Sequence, residues 1–271
     1  MKFALNHMTA PRLDWRAFLD LAQSLGCVGV EFRNDLNRPL FDGEQADIVA
    51  AAARDRGLRI VGLSQVYPFN SWSDEIAAEV RALIATAQAC GAETISLIPR
   101  NDGTGRGNGE RQGNLRLALR EILPMLKSTG MVALVEPLGF ERSSLRHKAE
   151  TINAIEAVGG SAHYKLVHDT FHHVLAKETE FFPEWTGIVH VSGVEDQSLS
   201  AAQMEDEHRV MVTPQDRLGN CTQIAALMAA GYDGPISVEA FSPVVHAFTD
   251  AEAPLRASFD FIRSQVSALA D

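Results

Sequence analysis

The chain has 271 residues, of which 46% are hydrophobic and 22% charged, and this composition suits one globular domain spanning residues 1–271. The formal net charge of −11 disfavours nucleic acid as a partner, because phosphate backbones are bound through clustered Lys and Arg. No stretch approaches the roughly 18 uninterrupted apolar residues of a membrane helix, and the first residues read as a strand rather than a secretion signal, so we expect a cytoplasmic protein without a membrane partner.

Short apolar segments alternate along the chain with longer segments of helical periodicity. The predicted strands are 2–7, 27–33, 59–65, 94–99, 131–137, 164–169, 187–192 and 235–240. The predicted helices are 14–26, 46–57, 73–91, 113–130, 149–160, 221–232 and 253–270, with a weaker one at 176–186. Such alternation implies parallel strands, and eight parallel strands close a barrel, so we predict an α/β fold with a single (β/α)8 TIM barrel. A doubly wound open sheet is the alternative.

Two connections are unusually long. The segment 101–114 holds five glycines but lacks the motifs of a phosphate-binding loop, which predicts a flexible lid or a surface loop. The segment 192–220 follows the seventh strand, and long ordered loops in compact domains are usually functional. Both connections are expected at the carboxyl face of the barrel, where active sites lie.

Four consecutive strands end in a side chain that can bind a metal: Glu136, Asp169, His190 and Glu239. A carboxylate at the end of an apolar strand is costly to desolvate, and three of them together would repel one another. A divalent cation removes that repulsion, and a set of three oxygen donors and one nitrogen donor suits Mn, Mg, Co or Zn. The alternative is that each residue separately caps a helix or pairs with a nearby Lys or Arg.

Further polar residues follow or end the first four strands and are expected near the mouth of the same face. They are His7, Glu31, Arg33, Gln65 and Arg100, with the aromatic residues Tyr67 and Trp72. These side chains could hydrogen-bond to a sugar-like substrate or stack on it. Loop packing and mutual charge pairing are the competing interpretations.

Several motifs carry a resemblance to a known family. They are NHMT (6–9), VEFR (30–33), ALVEPLG (133–139), LVHDTFHH (166–173), VHVSGVED (189–196), DEHRV (206–210) and ISVEAFSP (236–243). In this order they resemble the xylose isomerase-like TIM-barrel superfamily, and within it the 2-keto-myo-inositol (inosose) isomerases. The resemblance spans nearly the whole chain.

The resemblance implies a function and a set of roles. The family's four metal ligands fall on the residues already singled out, and Glu136 and Glu239 also become the acid/base pair. His172 and Arg209 become substrate contacts, with Arg217 competing for the arginine's role because the segment MVTPQDRLGN (211–220) departs from the family's short glycine turn. The implied reaction is the isomerisation of a small polyhydroxy ketone by proton transfer through an enediolate.

Other functions remain open. A ketose 3-epimerase of the D-tagatose 3-epimerase type, a hydroxypyruvate isomerase and an inosose dehydratase would all fit the same scaffold. The superfamily also contains a zinc-dependent DNA-repair endonuclease, which the acidic charge and the few histidines on strands two to four disfavour. A non-catalytic sugar-binding barrel would bind metal without turnover. The apolar stretch FSPVVHAF (241–248) is expected to line the pocket or to contact a second subunit in a homo-oligomer.

Overall fold

The structure is a computed structural model that describes residues 1–270, and residue 271 of the predicted domain lies outside the described residues. Eight parallel strands close a barrel in chain order, with β1 paired to both β2 and β8. The strands are β1 (Lys2–Asn6), β2 (Gly29–Arg33), β3 (Arg59–Val66), β4 (Thr94–Leu97), β5 (Val132–Val135), β6 (Tyr164–Asp169), β7 (Thr186–Val191) and β8 (Pro235–Val238). The predicted TIM barrel is confirmed, and the open-sheet alternative is wrong.

Helices cover the outside of the barrel. They are α1 (Trp15–Ser24), α2 (Ala46–Asp55), α3 (Asp74–Cys90), α4 (Asn108–Thr129), α5 (Lys148–Ala157), α6 (Thr170–Leu175), α7 (Asn220–Ala229), α8 (Pro243–His246) and α9 (Glu252–Ala270). Local sequence sets several ends: Asp14 caps α1 by accepting a hydrogen bond from Ala17 N at 2.8 Å. Gly91 and Gly130 end α3 and α4 at φ +67° and +70°, a left-handed conformation that favours glycine. Within residues 1–270, no helix combines the length and the apolar character needed to cross a membrane.

Two helix predictions are wrong in position. Helix α4 begins at Asn108, so the glycine-rich connection 101–114 is shorter than predicted, and Glu110 in the first turn favours this early start through the helix dipole. The segment 176–186 contains no helix, because the helix of that unit, α6, starts directly after β6. Asp169 caps it by accepting hydrogen bonds from Phe171 N and His172 N at 2.7 and 3.1 Å.

The inside of the barrel is layered. Its apolar layer consists of Ala4, Val61, Leu134, Val167 and Ile188. Strand side chains alternate with a period of two, so the residues two positions further along β5, β6 and β7 point into the same interior at the carboxyl end. Those residues are Glu136, Asp169 and His190, each directly above an apolar neighbour. The packed layer below closes the site from that side.

Candidate metal centre

The last four strands bring the four predicted metal ligands to one point inside the barrel. Glu136 follows β5, Asp169 ends β6, His190 lies in β7 and Glu239 follows β8. Each offers a ligand atom within 4.8 Å of the ligand atoms of the other three, and all four residues are buried. Parallel pairing places these residues at a similar height along the barrel axis. Asp169 is the register partner of His190, and Glu239 N donates to Val191 O at 3.0 Å.

The two ring nitrogens of His190 have different surroundings. Nε2 lies 3.1 Å from both carboxylate oxygens of Glu31. Nδ1 lies 3.2 Å from Glu239 Oε2 and 4.0 Å from Glu136 Oε1, and it has no hydrogen-bond partner among the described residues. A proton on Nε2, held by Glu31, leaves the Nδ1 lone pair facing the carboxylates, which is the arrangement that a metal-binding histidine needs.

Burial and neighbouring charge separate the two glutamates. Burial raises the pKa of Glu136 to about 8, and the negative charge of Glu239 adds to the effect. Burial also opposes ionisation of Glu239, but the charges of His190, Arg209 and Arg33 outweigh it and lower its pKa. The difference follows the hydrogen bonds, since Glu239 accepts from both arginines whereas Glu136 accepts from neither.

Arg209 reaches the cluster from the loop after β7. Its Nη2 donates to Asp169 Oδ2 at 2.6 Å and to Glu239 Oε2 at 3.0 Å, and the side chain is 1% exposed. The side chain is held by Ser192 Oγ, which accepts from Nε at 2.9 Å, and by Asp206. Arg217 instead donates to backbone carbonyls of its own loop. The structure therefore brings Arg209, and not Arg217, to the cluster.

Arg33 and His172 complete the inner part of the site. Arg33 Nη1 donates to Glu239 Oε1 at 2.5 Å, while its Nε and Nη2 donate to Asp35 at 2.8 and 2.7 Å. His172, in the first turn of α6, places Nε2 3.9 Å from Glu136 Oε1. Burial lowers the pKa of His172, and its Nδ1 has no hydrogen-bond partner among residues 1–270. Burial therefore favours the neutral form of His172 beside the carboxylates.

Three residues predicted at the mouth are engaged by other protein groups. Glu31 is fully buried beneath the cluster, where it contacts His190. It therefore orients this candidate metal ligand and does not line the cavity. The His7 ring stacks on Phe18 at 4.1 Å, and burial lowers its pKa to about 4. Arg100 Nη1 donates to Thr104 Oγ1 at 3.2 Å within its own loop.

Strand alternation explains the position of His7 and identifies a residue that the sequence interpretation missed. Asn6, one residue earlier, points into the barrel and donates from Nδ2 to Glu31 Oε1 at 3.3 Å and to Glu239 Oε1 at 3.2 Å. His7 therefore points outward into the core between barrel and helices. Ala4, two residues before Asn6, belongs to the apolar layer inside the barrel. Its apolar character is the sequence feature that indicates an inward direction for Asn6.

A cavity of 220 Å³ opens above the cluster. Its titratable walls include Arg33, Glu136, His172, Arg209 and Glu239. Its other lining residues are Asp35, Gln65, Tyr67, Ile98, Asn101, Leu138, Phe140, Asp206 and Phe241. Of the residues predicted at the mouth, Arg33, Gln65 and Tyr67 therefore line it. Phe241, from the stretch 241–248, also faces this cavity, so part of that stretch lines the pocket.

The charge balance of the site fits a divalent cation. The hydrogen-bonded network and the cavity contain six carboxylates: Glu31, Asp35, Glu136, Asp169, Asp206 and Glu239. Two guanidinium groups, Arg33 and Arg209, face them within the described part of the chain. Carboxylate oxygens with one imidazole nitrogen form a donor set for a transition metal or magnesium ion, and the unpartnered His190 Nδ1 is aimed at the same point.

Solved structures share this architecture. A xylose isomerase domain-containing protein from Salmonella typhimurium LT2 is 31% identical with a TM-score of 0.89, covering 98% of this chain and 97% of that one. The IolI protein, solved with a zinc atom, is 19% identical with a TM-score of 0.87, covering 99% of each chain. The D-psicose 3-epimerase of Clostridium cellulolyticum H10 is 15% identical with a TM-score of 0.74, covering 98% of this chain and 99% of that one.

The sequence matches no curated protein, but it does match the model of a protein family. The model of the xylose isomerase-like TIM barrel matches residues 19–265. This range includes all four clustered ligands and the two arginines of the site, Arg33 and Arg209. The chain therefore belongs to the xylose isomerase-like TIM barrel family.

Proposed function

We propose that the protein is a divalent-metal-dependent isomerase of a small polyhydroxy ketone. The observation that carries the proposal is the buried group of Glu136, Asp169, His190 and Glu239, of which Glu136 and Glu239 line an open cavity. Their donor set suits Mn, Mg, Co or Zn. A cation held there would stabilise the negative charge that develops on the substrate's carbonyl oxygen during enolisation.

The protein groups supply the proton transfers. Moving a carbonyl to the neighbouring carbon requires that a proton leave that carbon and that another reach the former carbonyl carbon, while the hydroxyl proton passes to the former carbonyl oxygen. Glu136 and Glu239 both line the cavity, so one can remove the proton and the other can return it. The two carboxylates differ in their arginine contacts, which gives them different basicity in one small space.

His172 and Arg209 are proposed to hold the substrate. The free Nδ1 of His172 and its neutral ring suit a hydroxyl or carbonyl oxygen. Arg209 lies on the cavity wall with its guanidinium directed at the carboxylate cluster, where it can also donate to substrate oxygens. Packing of Phe140 edge-on to His172 at 5.1 Å between ring centroids restricts the imidazole to this orientation.

The proposal is tested by proton exchange in deuterated water. Metal-loaded protein is incubated with 2-keto-myo-inositol, D-fructose, D-tagatose or hydroxypyruvate, and carbon-bound deuterium and products are followed by NMR. Deuterium incorporation with a shifted carbonyl supports an isomerase. An inverted carbon next to an unmoved carbonyl would indicate a 3-epimerase, which uses the same glutamate pair. Absence of exchange with all four compounds would exclude both activities.

A further inference from the structure

Three polar side chains of the cavity are not used by the protein itself. Gln65 and Asn101 make no side-chain hydrogen bond with any described residue, and neither does the hydroxyl of Tyr67. The Oδ1 atom of Asn101 is buried without a partner. The charged lining residues differ, because Arg33 is held by Asp35 and Arg209 by Asp206.

The topology sets these three residues apart from the metal ligands. Gln65 lies in β3, Tyr67 directly follows it, and Asn101 follows β4, whereas the ligands end β5 to β8. In a closed barrel of eight strands, β3 and β4 stand across from β7 and β8. The unused groups therefore lie across the barrel from His190 and Glu239, and Glu239 lines the cavity on that opposite side.

The chemistry of the three groups selects a class of ligand. Two amides and a phenol are neutral and can both donate and accept, which matches substrate hydroxyl groups. A buried amide oxygen without a partner is unfavourable, so a ligand hydroxyl that donates to Asn101 Oδ1 is favoured. A phosphate or carboxylate would need a free cation, and the arginines of this cavity are already paired with carboxylates.

We propose that Gln65, Tyr67 and Asn101 form a specificity subsite for the hydroxyl groups of the substrate that lie remote from its reacting carbonyl. This inference rests on the proposed ketone isomerisation and adds a substrate class to it. The preferred substrate is an uncharged polyhydroxy ketone with hydroxyls well beyond the reacting carbons. Three-carbon compounds and charged ones, including hydroxypyruvate, cannot use the subsite.

The test compares long and short substrates in matched variants. The kcat/KM for proton exchange is measured with D-tagatose and with dihydroxyacetone for the wild type, Asn101→Ala, Gln65→Ala and Tyr67→Phe. One neutral hydrogen bond corresponds to about a 2- to 12-fold change in kcat/KM. The kcat/KM for D-tagatose divided by that for dihydroxyacetone should therefore fall by this factor in each variant. Gln88→Ala, an exposed glutamine of α3, is the matched control and should keep the wild-type ratio.

A ratio that stays at the wild-type value in all three variants would overturn the subsite while leaving the isomerase intact. If the wild type exchanges neither with these two ketones nor with the other three compounds of the first test, the proposed function fails and a binding measurement decides on the subsite alone. Calorimetric titration of metal-loaded protein with myo-inositol and with glycerol should show tighter binding of myo-inositol, and Asn101→Ala should reduce that preference. Equal binding of the two polyols by the wild type would refute the subsite.

Discussion

The two halves of the barrel mouth carry different chemistry. The ligand half, β5 to β8 with their following loops, contributes the four clustered ligands together with His172 and Arg209. The supporting half, β1 to β4 with their following loops, contributes groups that hold a ligand residue or line the cavity, such as Glu31, Arg33 and Gln65. The contrast assigns bond-making chemistry to one half and orientation and selection to the other. Substitutions in the ligand half should accordingly have the larger effects.

The largest effect is expected from the two glutamates of the ligand half. Glu136→Gln or Glu239→Gln removes a proton-transfer group and a metal ligand together, so kcat should fall by at least about 10³-fold. Steady-state turnover with the best ketone measures this effect. Glu141→Gln, an exposed glutamate in the loop after β5, is the control and should retain wild-type kcat. Near-wild-type turnover in either ligand variant would remove that glutamate from the mechanism.

Arg209 should be second in effect. Its replacement by Gln breaks a buried pair with Asp169 and Glu239, and such a loss typically costs about 3–5 kcal/mol of unfolding free energy. Urea denaturation in the presence of a chelator measures the change, and added Mn²⁺ should restore part of it because a cation can compensate the same carboxylates.

Arg217→Gln is the comparison for that experiment. Arg217 donates to two carbonyl groups of its own loop, and losing these bonds should cost about 1–2 kcal/mol with little change in turnover. Equal losses of stability and turnover in both arginine variants would show that the pairing of Arg209 with the cluster has no special importance.

Glu31 tests how strongly the supporting half affects metal binding by the ligand half. Glu31→Gln should weaken metal binding by about 10- to 100-fold, because the carboxylate no longer fixes the proton of His190 on Nε2. Calorimetric titration with Zn²⁺ or Mn²⁺ gives the affinity without reference to activity. Glu79→Gln, on the exposed face of α3, should bind metal like the wild type. An unchanged Kd for Glu31→Gln would mean that His190 is oriented by other contacts.

The sequence predicted the ligand half better than the supporting half, for a physical reason. Strand residues alternate strictly, so an apolar Val167 or Ile188 on the interior face also fixes the direction of Asp169 or His190. The same alternation, applied to β1, would have favoured Asn6 over His7.

Loops and buried pairs lack such a rule. Arg100 and Asn101 follow β4 side by side, and the long arginine side chain finds Thr104 and Asp102 within its own loop while Asn101 lines the cavity. Glu31 points inward as alternation requires, but only the distance to His190 Nε2 distinguishes a supporting residue from a substrate contact.

The smallest effect at pH 7 is expected at His7, in the supporting half. Burial lowers its pKa from 6.5 to about 4, so between those pH values the unfolded chain binds a proton that the folded chain does not. His7 therefore makes the unfolding free energy fall with decreasing pH by up to about 1.4 kcal/mol per pH unit in this window, and has no such effect above it.

Replacing His7 by Phe should remove this contribution to the slope while preserving the stacking on Phe18. Loss of the contact between Nε2 and Leu13 O should cost about 1 kcal/mol at pH 7. Urea denaturation of both proteins from pH 4 to 7 measures the slope, and ketone turnover at pH 7 measures any role in the site. A parallel pH dependence would show that His7 is not held neutral by burial, and a large loss of turnover would return it to the substrate contacts that the sequence predicted.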